Sequence, residues 1–240
     1  MRPSIGSSRR ARHPLTSVGW PPSPIEWITA RTGRLRNEEA ATVKIMVIGA
    51  TGTIGSAVAE HLGERHDVVR VGNTRGDFQV DLSDRGSIED LYRSAGPVDA
   101  VVSAAGIARF GPLEALTDED FSFSIQNKLM GNVNLVRLGI GSVRQGGSFT
   151  LTTGTLSQEP ALKTAAVSMV GAGLESFARA AALELAGRYR VNVVSPGWVR
   201  ETMVSQGMDP TPGMPAAELA TYFARLVEGT MTGQILEASA

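Results

Sequence analysis

Three glycines at regular spacing carry the first chemical signal in this chain of 240 residues: Gly49, Gly52 and Gly55, within Gly49-Ala50-Thr51-Gly52-Thr53-Ile54-Gly55. They follow the apolar run 43–48 directly, so the turn joins a buried strand to a helix. In that setting Gly49 permits the tight turn, Gly52 lets the backbone approach a pyrophosphate, and Gly55 allows close packing of helix on strand. The N–H groups at the helix start then face the anion, with Thr51, Thr53 and Ile54 completing the cradle. After the second strand, where an acidic side chain would accept from a ribose 2′-hydroxyl, the chain reads Gly72-Asn73-Thr74-Arg75-Gly76. Arg75 can grip a phosphate through two parallel hydrogen bonds, and Asn73 and Thr74 can donate to it. NADP(H) is therefore favoured over NAD(H), against the alternative of a solvated turn arginine.

Composition narrows the remaining classes. A net charge of −1 gives no pull toward nucleic acid or an anionic membrane. The chain has no cysteine, which excludes disulfides, thiolate metal ligands and a cysteine nucleophile. His13, His61 and His66 are the only histidines and form no ligand spacing, so no metal is expected. No apolar run is long enough to span a bilayer. The expectation is a cytoplasmic protein acting on a small molecule.

Those residues need elements to position them. From residue 43 onward strand and helix alternate. The pattern predicts strands at 43–48, 68–71, 78–80, 98–103, 148–153, 191–195 and 234–236. Helices are predicted at 55–63, 84–94, 118–140, 165–186 and 215–228. Thr117-Asp118-Glu119-Asp120 has the form of a capping box opening the third helix. Residues 196–215 read as a loop in which Met203, Met208 and Met214 suggest an adaptable apolar lid. The fold class that follows is α/β, a doubly wound parallel sheet of Rossmann-like type in a single domain, 43–240. Residues 1–42 form a basic, proline-rich extension with few acids. It is expected to be flexible and dispensable for folding, although Trp20 and Trp27 leave a docked segment open.

Three further stretches join the glycine turn. They are Asp81-Leu82, Ser103-Ala104-Ala105-Gly106, and Arg190-Val191-Asn192-Val193-Val194-Ser195-Pro196-Gly197. Together these motifs resemble the short-chain dehydrogenase/reductase family from residue 43 to the C-terminus. The resemblance implies that Asp81 and Leu82 hold the adenine and that Ala104, Ala105 and Gly106 line the adenosine ribose. It places Pro196, Gly197 and Thr202 beside the nicotinamide. It also implies a homo-oligomer built through the two long helices.

The family's catalytic group is a serine, a tyrosine thirteen residues later, a lysine four beyond that, and an asparagine on the preceding long helix. Aligned on Gly146-Gly147-Ser148-Phe149 and on Leu174-Glu175-Ser176-Phe177, the first three positions hold Gly154, Val167 and Gly171, and the asparagine, within an Asn-Leu-x-Gly pattern, is replaced by Lys128 in Lys128-Leu129-Met130-Gly131. The usual tyrosine–lysine pair is absent from them. Lys128, if desolvated in the cleft, can act as acid, base or oxyanion partner. Thr153 and Thr155 can position a substrate hydroxyl or carbonyl, as can Thr152 and Ser168. The expected function is an atypical oxidoreductase using NADP(H) on a carbonyl or activated double bond. A non-redox isomerase, dehydratase or cyclase, or a catalytically silent subunit, are the alternatives.

Overall fold

Isoleucine, valine and methionine alternate without a polar break in Lys44–Ile48 (β1), whose last four residues are all buried. A strand apolar on both faces is stable only between two layers of helices, and the rest of the chain supplies them. The computed structural model describes residues 42–239, so the extension lies outside the described residues except for Thr42. After β1 come α1 (Thr53–Gly63), β2 (Asp67–Gly72), β3 (Phe78–Gln79), α2 (Arg85–Ala95) and β4 (Val98–Ser103). Then follow α3 (Asp118–Ser124), a π-helical segment (Ile125–Met130), α4 (Gly131–Gly139), β5 (Val143–Thr152) and α5 (Ala165–Glu184). The chain closes with β6 (Arg190–Pro196), α6 (Arg200–Ser205), α7 (Ala216–Glu228) and β7 (Ile235–Ala238).

The seven strands form one sheet in the order β3-β2-β1-β4-β5-β6-β7, and every pairing is parallel. One face packs Phe149, Leu151 and Leu174 with α2, α4 and α5. The other packs Val58 and Leu62 of α1 against Leu219 and Phe223 of α7. The strand order reverses between β1 and β4, and in such sheets the crevice beyond the strand ends at that point is where ligands sit. No helix among the described residues is long and apolar enough to cross a membrane.

Three expectations need correction. The helix expected over 118–140 opens on the anticipated capping box, with the Thr117 hydroxyl accepting from Asp120 N and the Asp120 carboxylate from Thr117 N. It is then interrupted by the π-helical turn at Ile125–Met130. β5 begins at Val143, not 148, because the exposed stretch Arg144-Gln145-Gly146 hides its start behind polar residues; an irregularity opposite Val98 and Ala100 marks the join. The loop expected at 196–215 contains α6, and Met203 and Met214 are buried within it. Only Met208 of the three methionines is exposed, so the apolar lid is mostly core.

Candidate active site

The glycine turn leaves β1 at the switch point. Gly49 has φ +84°, and a Cβ there would lie 2.6 Å from the Ala104 oxygen, because the ends of β1 and β4 converge. A Cβ on Gly55 would fall 2.0 Å from the Gly49 oxygen. Packing therefore dictates glycine at both positions. Gly52 differs: it is exposed, caps α1 without a side chain, and an added Cβ would meet only the Gly49 oxygen, at 3.5 Å. The first turn of α1 carries no acidic residue, so the positive end of its dipole is uncompensated. The open space at Gly52 fits an approaching phosphate, which supports the nucleotide reading of the turn.

The expected 2′-phosphate residues lie beside it. A Cβ on Gly72 would be 2.2 Å from the Arg75 oxygen and 2.8 Å from the Thr51 hydroxyl, so the turn 73–75 folds back toward the phosphate loop. Arg75 is exposed and pairs with no carboxylate among the described residues. Thr74 is exposed, and Asn73 Nδ2 already donates to the Val80 carbonyl at 3.3 Å. Asp81 is exposed and accepts from Ser83 N at 2.8 Å, while Leu82 is buried beneath Gly131.

The π-helical segment clamps two loops at the strand ends. Asn127 accepts from Ile107 N (2.7 Å) and donates to the Ser83 hydroxyl (2.8 Å), and Gln126 donates to the Ser83 carbonyl (3.1 Å). The fully buried Asn132 donates to the Lys128 carbonyl at 2.7 Å, supplying a partner at the irregular turn. Lys128 reaches the other way, and its Nζ donates to the Ala105 carbonyl at 3.2 Å. Gly106, at φ +100°, makes room for it: a Cβ there would lie 2.8 Å from Lys128 Cδ. Part of the lysine stem remains exposed, but desolvation of the ammonium lowers its pKa from 10.5 to about 8.

All three residues expected to do chemistry meet in one cleft of about 410 Å³, lined by Lys128, Thr153 and Thr155. Its walls include Gly154, Val167 and Gly171, the positions aligned above, and its rim includes Ile54, Gly106, Pro196, Gly197 and Thr202. Neither a tyrosine nor a carboxylate lines it among the described residues. The Tyr92 hydroxyl is buried against the Leu135 carbonyl, where burial pushes its pKa up, and Tyr189 packs edge-on against Phe149. The Thr155 hydroxyl has no partner among the described residues, whereas Thr153 donates to the Glu175 carboxylate at 3.0 Å.

Sequence reasoning passed over Glu175, Ser157 and Asn132 as functional positions. For Glu175 a signal existed. It lies one turn after Gly171 on the buried stripe with Leu174 and Ala178, and an acid on such a stripe needs a purpose. Gly173, a second glycine within α5, lies where a Cβ would meet Leu129 of the π-helical segment at 3.4 Å, so the two helical segments pack closely there.

The family model described as enoyl-(acyl carrier protein) reductase matches residues 28–235. The 3-oxoacyl-[acyl-carrier-protein] reductase of Mus musculus is 29% identical over 153 residues, which is 63% of this chain but only 61% of the mouse protein. The 2,3-dihydro-2,3-dihydroxybenzoate dehydrogenase of Escherichia coli is 35% identical over 125 residues, covering 49% of this chain and 50% of that one. Among solved structures, the protein lin1944 from Listeria innocua superimposes with a TM-score of 0.77 at 40% identity, over 82% of this chain and 99% of that one. A small-chain dehydrogenase in complex with NADPH gives 0.73 at 25% identity, over 83% and 97%.

Proposed function

The chain belongs to the short-chain dehydrogenase/reductase family, and from that premise we propose that it is an NADP(H)-dependent oxidoreductase whose proton donor is Lys128. Its substrate is a small carbonyl compound or activated double bond. One observation carries this reading: Lys128 lines the same strand-end cleft as Ile54, in the first turn of the helix that the phosphate turn opens.

The residues fit the cofactor. Gly49, Gly52 and the start of α1 would hold the pyrophosphate, Arg75 and Thr74 the 2′-phosphate, and Pro196, Gly197 and Thr202 the nicotinamide end. Bound there, NADPH supplies hydride. The chain's own groups do the rest. The apolar walls of Val167, Val170 and Leu156 exclude water, and the free Thr155 hydroxyl can turn toward a substrate oxygen. Lys128 can deliver a proton to that oxygen or hold the developing negative charge. A pKa near 8 keeps most of the ammonium protonated at neutral pH yet makes it a far better acid than an exposed lysine.

The cleft is remodelled as well as stripped. A Cβ on Gly171 would lie 3.1 Å from Ser157 Cβ, so the serine occupies space that a long side chain at 171 would need. Restoring the family's group by Gly154→Ser, Val167→Tyr and Gly171→Lys therefore requires Ser157 to move. The proposal includes self-association through the outer face of α5, where Met169, Ala172, Ala180 and Leu183 are exposed.

The cofactor half is tested by titration. NADPH should bind about tenfold more tightly than NADH if Arg75 supplies about 1.4 kcal/mol, and Arg75→Ala should erase that preference. Equal affinities in the native protein would reject it.

A further inference from the structure

Glu175 is the one carboxylate buried beside the cleft, with 3% of its surface exposed and no cation paired with it among the described residues. Its Oε1 accepts from both the Thr153 and the Ser157 hydroxyls, and its Oε2 accepts from Gln158 Nε2 at 3.4 Å. Ser157 Oγ also lies 2.9 Å from the Gly154 carbonyl. Thr153 and Ser157 both line the cleft, while Glu175 stands behind them.

A hydroxyl has one proton to give and two lone pairs to offer. The Thr153 proton is taken by Glu175. The Ser157 proton goes to Glu175 or to the Gly154 carbonyl; a carbonyl cannot donate in return, and neither can a carboxyl group in its ionised form, the form on which the wall's character depends. Whichever it chooses, neither hydroxyl has a proton left for the cleft. Both present only lone pairs to whatever enters. Lys128 has the opposite character, because an ammonium donates and never accepts, and its one acceptor among the described residues is the Ala105 carbonyl.

We propose that Glu175 makes the Thr153–Ser157 wall an acceptor-only surface, so the substrate is a hydroxylated carbonyl compound. It presents its hydroxyl to that wall and its carbonyl oxygen to Lys128. Glu175 is thus a positioning residue that sets specificity without touching the ligand. The inference rests on the reading that this cleft holds the substrate, and it assigns Thr153 to a substrate hydroxyl and not to a carbonyl. A ligand whose group at the wall is a second carbonyl or an ether would leave lone pairs facing lone pairs, a desolvated mismatch that binding must overcome.

The test compares 2-hydroxycyclohexanone with 2-methoxycyclohexanone, which keeps the ring and the carbonyl but has no proton to donate. Binding is followed by protein NMR at Thr155 and Val167, with and without NADP+. The hydroxy ketone should bind the native protein at least about fivefold more tightly, the worth of one ordinary hydrogen bond. In Glu175→Gln the carboxamide can itself donate to one hydroxyl and release that hydroxyl's proton into the cleft, so the ratio should fall to about one or invert. Thr153→Val gives the same readout, through loss of an acceptor at constant shape, if the Glu175 variant does not fold. A native ratio near one, a ratio unchanged in both variants, or failure of both probes to perturb Thr155 and Val167 would overturn the proposal. Because the ratio is also read without NADP+, a protein that binds no dinucleotide would strike the redox reading and leave this one standing or falling on its own result.

Discussion

Lys128 carries its charge in the unfolded chain up to about pH 10.5, but in the folded chain only to about pH 8. Between those values the folded state binds fewer protons, so this group makes the fold more stable as pH rises. Below pH 8 the desolvated charge is a standing cost of up to about 3 kcal/mol. Lys128→Met removes that cost. Its thermal midpoint should exceed the native one at pH 7, and paired melts should converge as pH approaches 10.5. Equal midpoints at pH 7 would place the ammonium in water. Activity should move the other way. Turnover should drop about 100- to 10,000-fold with NADPH affinity nearly unchanged, as expected for loss of a general acid. Native reduction should itself slow as pH passes about 8 and the proton is lost. On the proposed role, stability and catalysis pull this residue in opposite directions, as they often do at working sites.

At the scale of elements, the start of α1 separates what the fold needs from what a ligand needs. Gly55→Ala should prevent folding or cost several kcal/mol, since its methyl would sit 2.0 Å from the Gly49 oxygen. Gly52→Ala meets nothing closer than 3.5 Å and should melt near the native temperature while losing at least about tenfold in NADPH affinity by titration. Equal damage from both would mean that the open side of the turn has no ligand to lose. This turn was legible in the sequence because only glycine tolerates such approaches, so the constraint is written into residue type. The sheet was legible for a similar reason: strands buried on both faces must be apolar throughout. The π-helical turn was not. One extra residue in a helical turn leaves composition unchanged, and the clue, Asn132 donating to the Lys128 carbonyl, exists only after folding. The polar start of β5 and the role of Glu175 were hidden likewise, because each depends on neighbours brought from elsewhere in the chain.

For the molecule as a whole, the outer stripe of α5 makes a prediction about assembly. Met169, Ala172, Ala180 and Leu183 fall at helical spacing on its exposed side, interrupted by the polar Ser176. Sedimentation velocity should find an oligomer, and Ala172→Glu with Ala180→Glu should dissociate it. A native monomer at all concentrations would refute that. The strand order also has a consequence in time. β1 is made first yet ends in the middle of the sheet, with β2 on one edge and β4 on the other. During synthesis from the N-terminus, Ile45 finds Val68 early but must wait for Ala100 to cover its second edge. Growing chains therefore pass through lengths at which a strand of isoleucine, methionine and valine stands open on one side, the kind of edge that pairs readily with other chains. In the finished sheet β1 is covered on both sides, by β2 and β4, and the outermost strands among the described residues are short: Phe78–Gln79 and Ile235–Ala238. For β1 that exposure belongs to synthesis, and folding ends it.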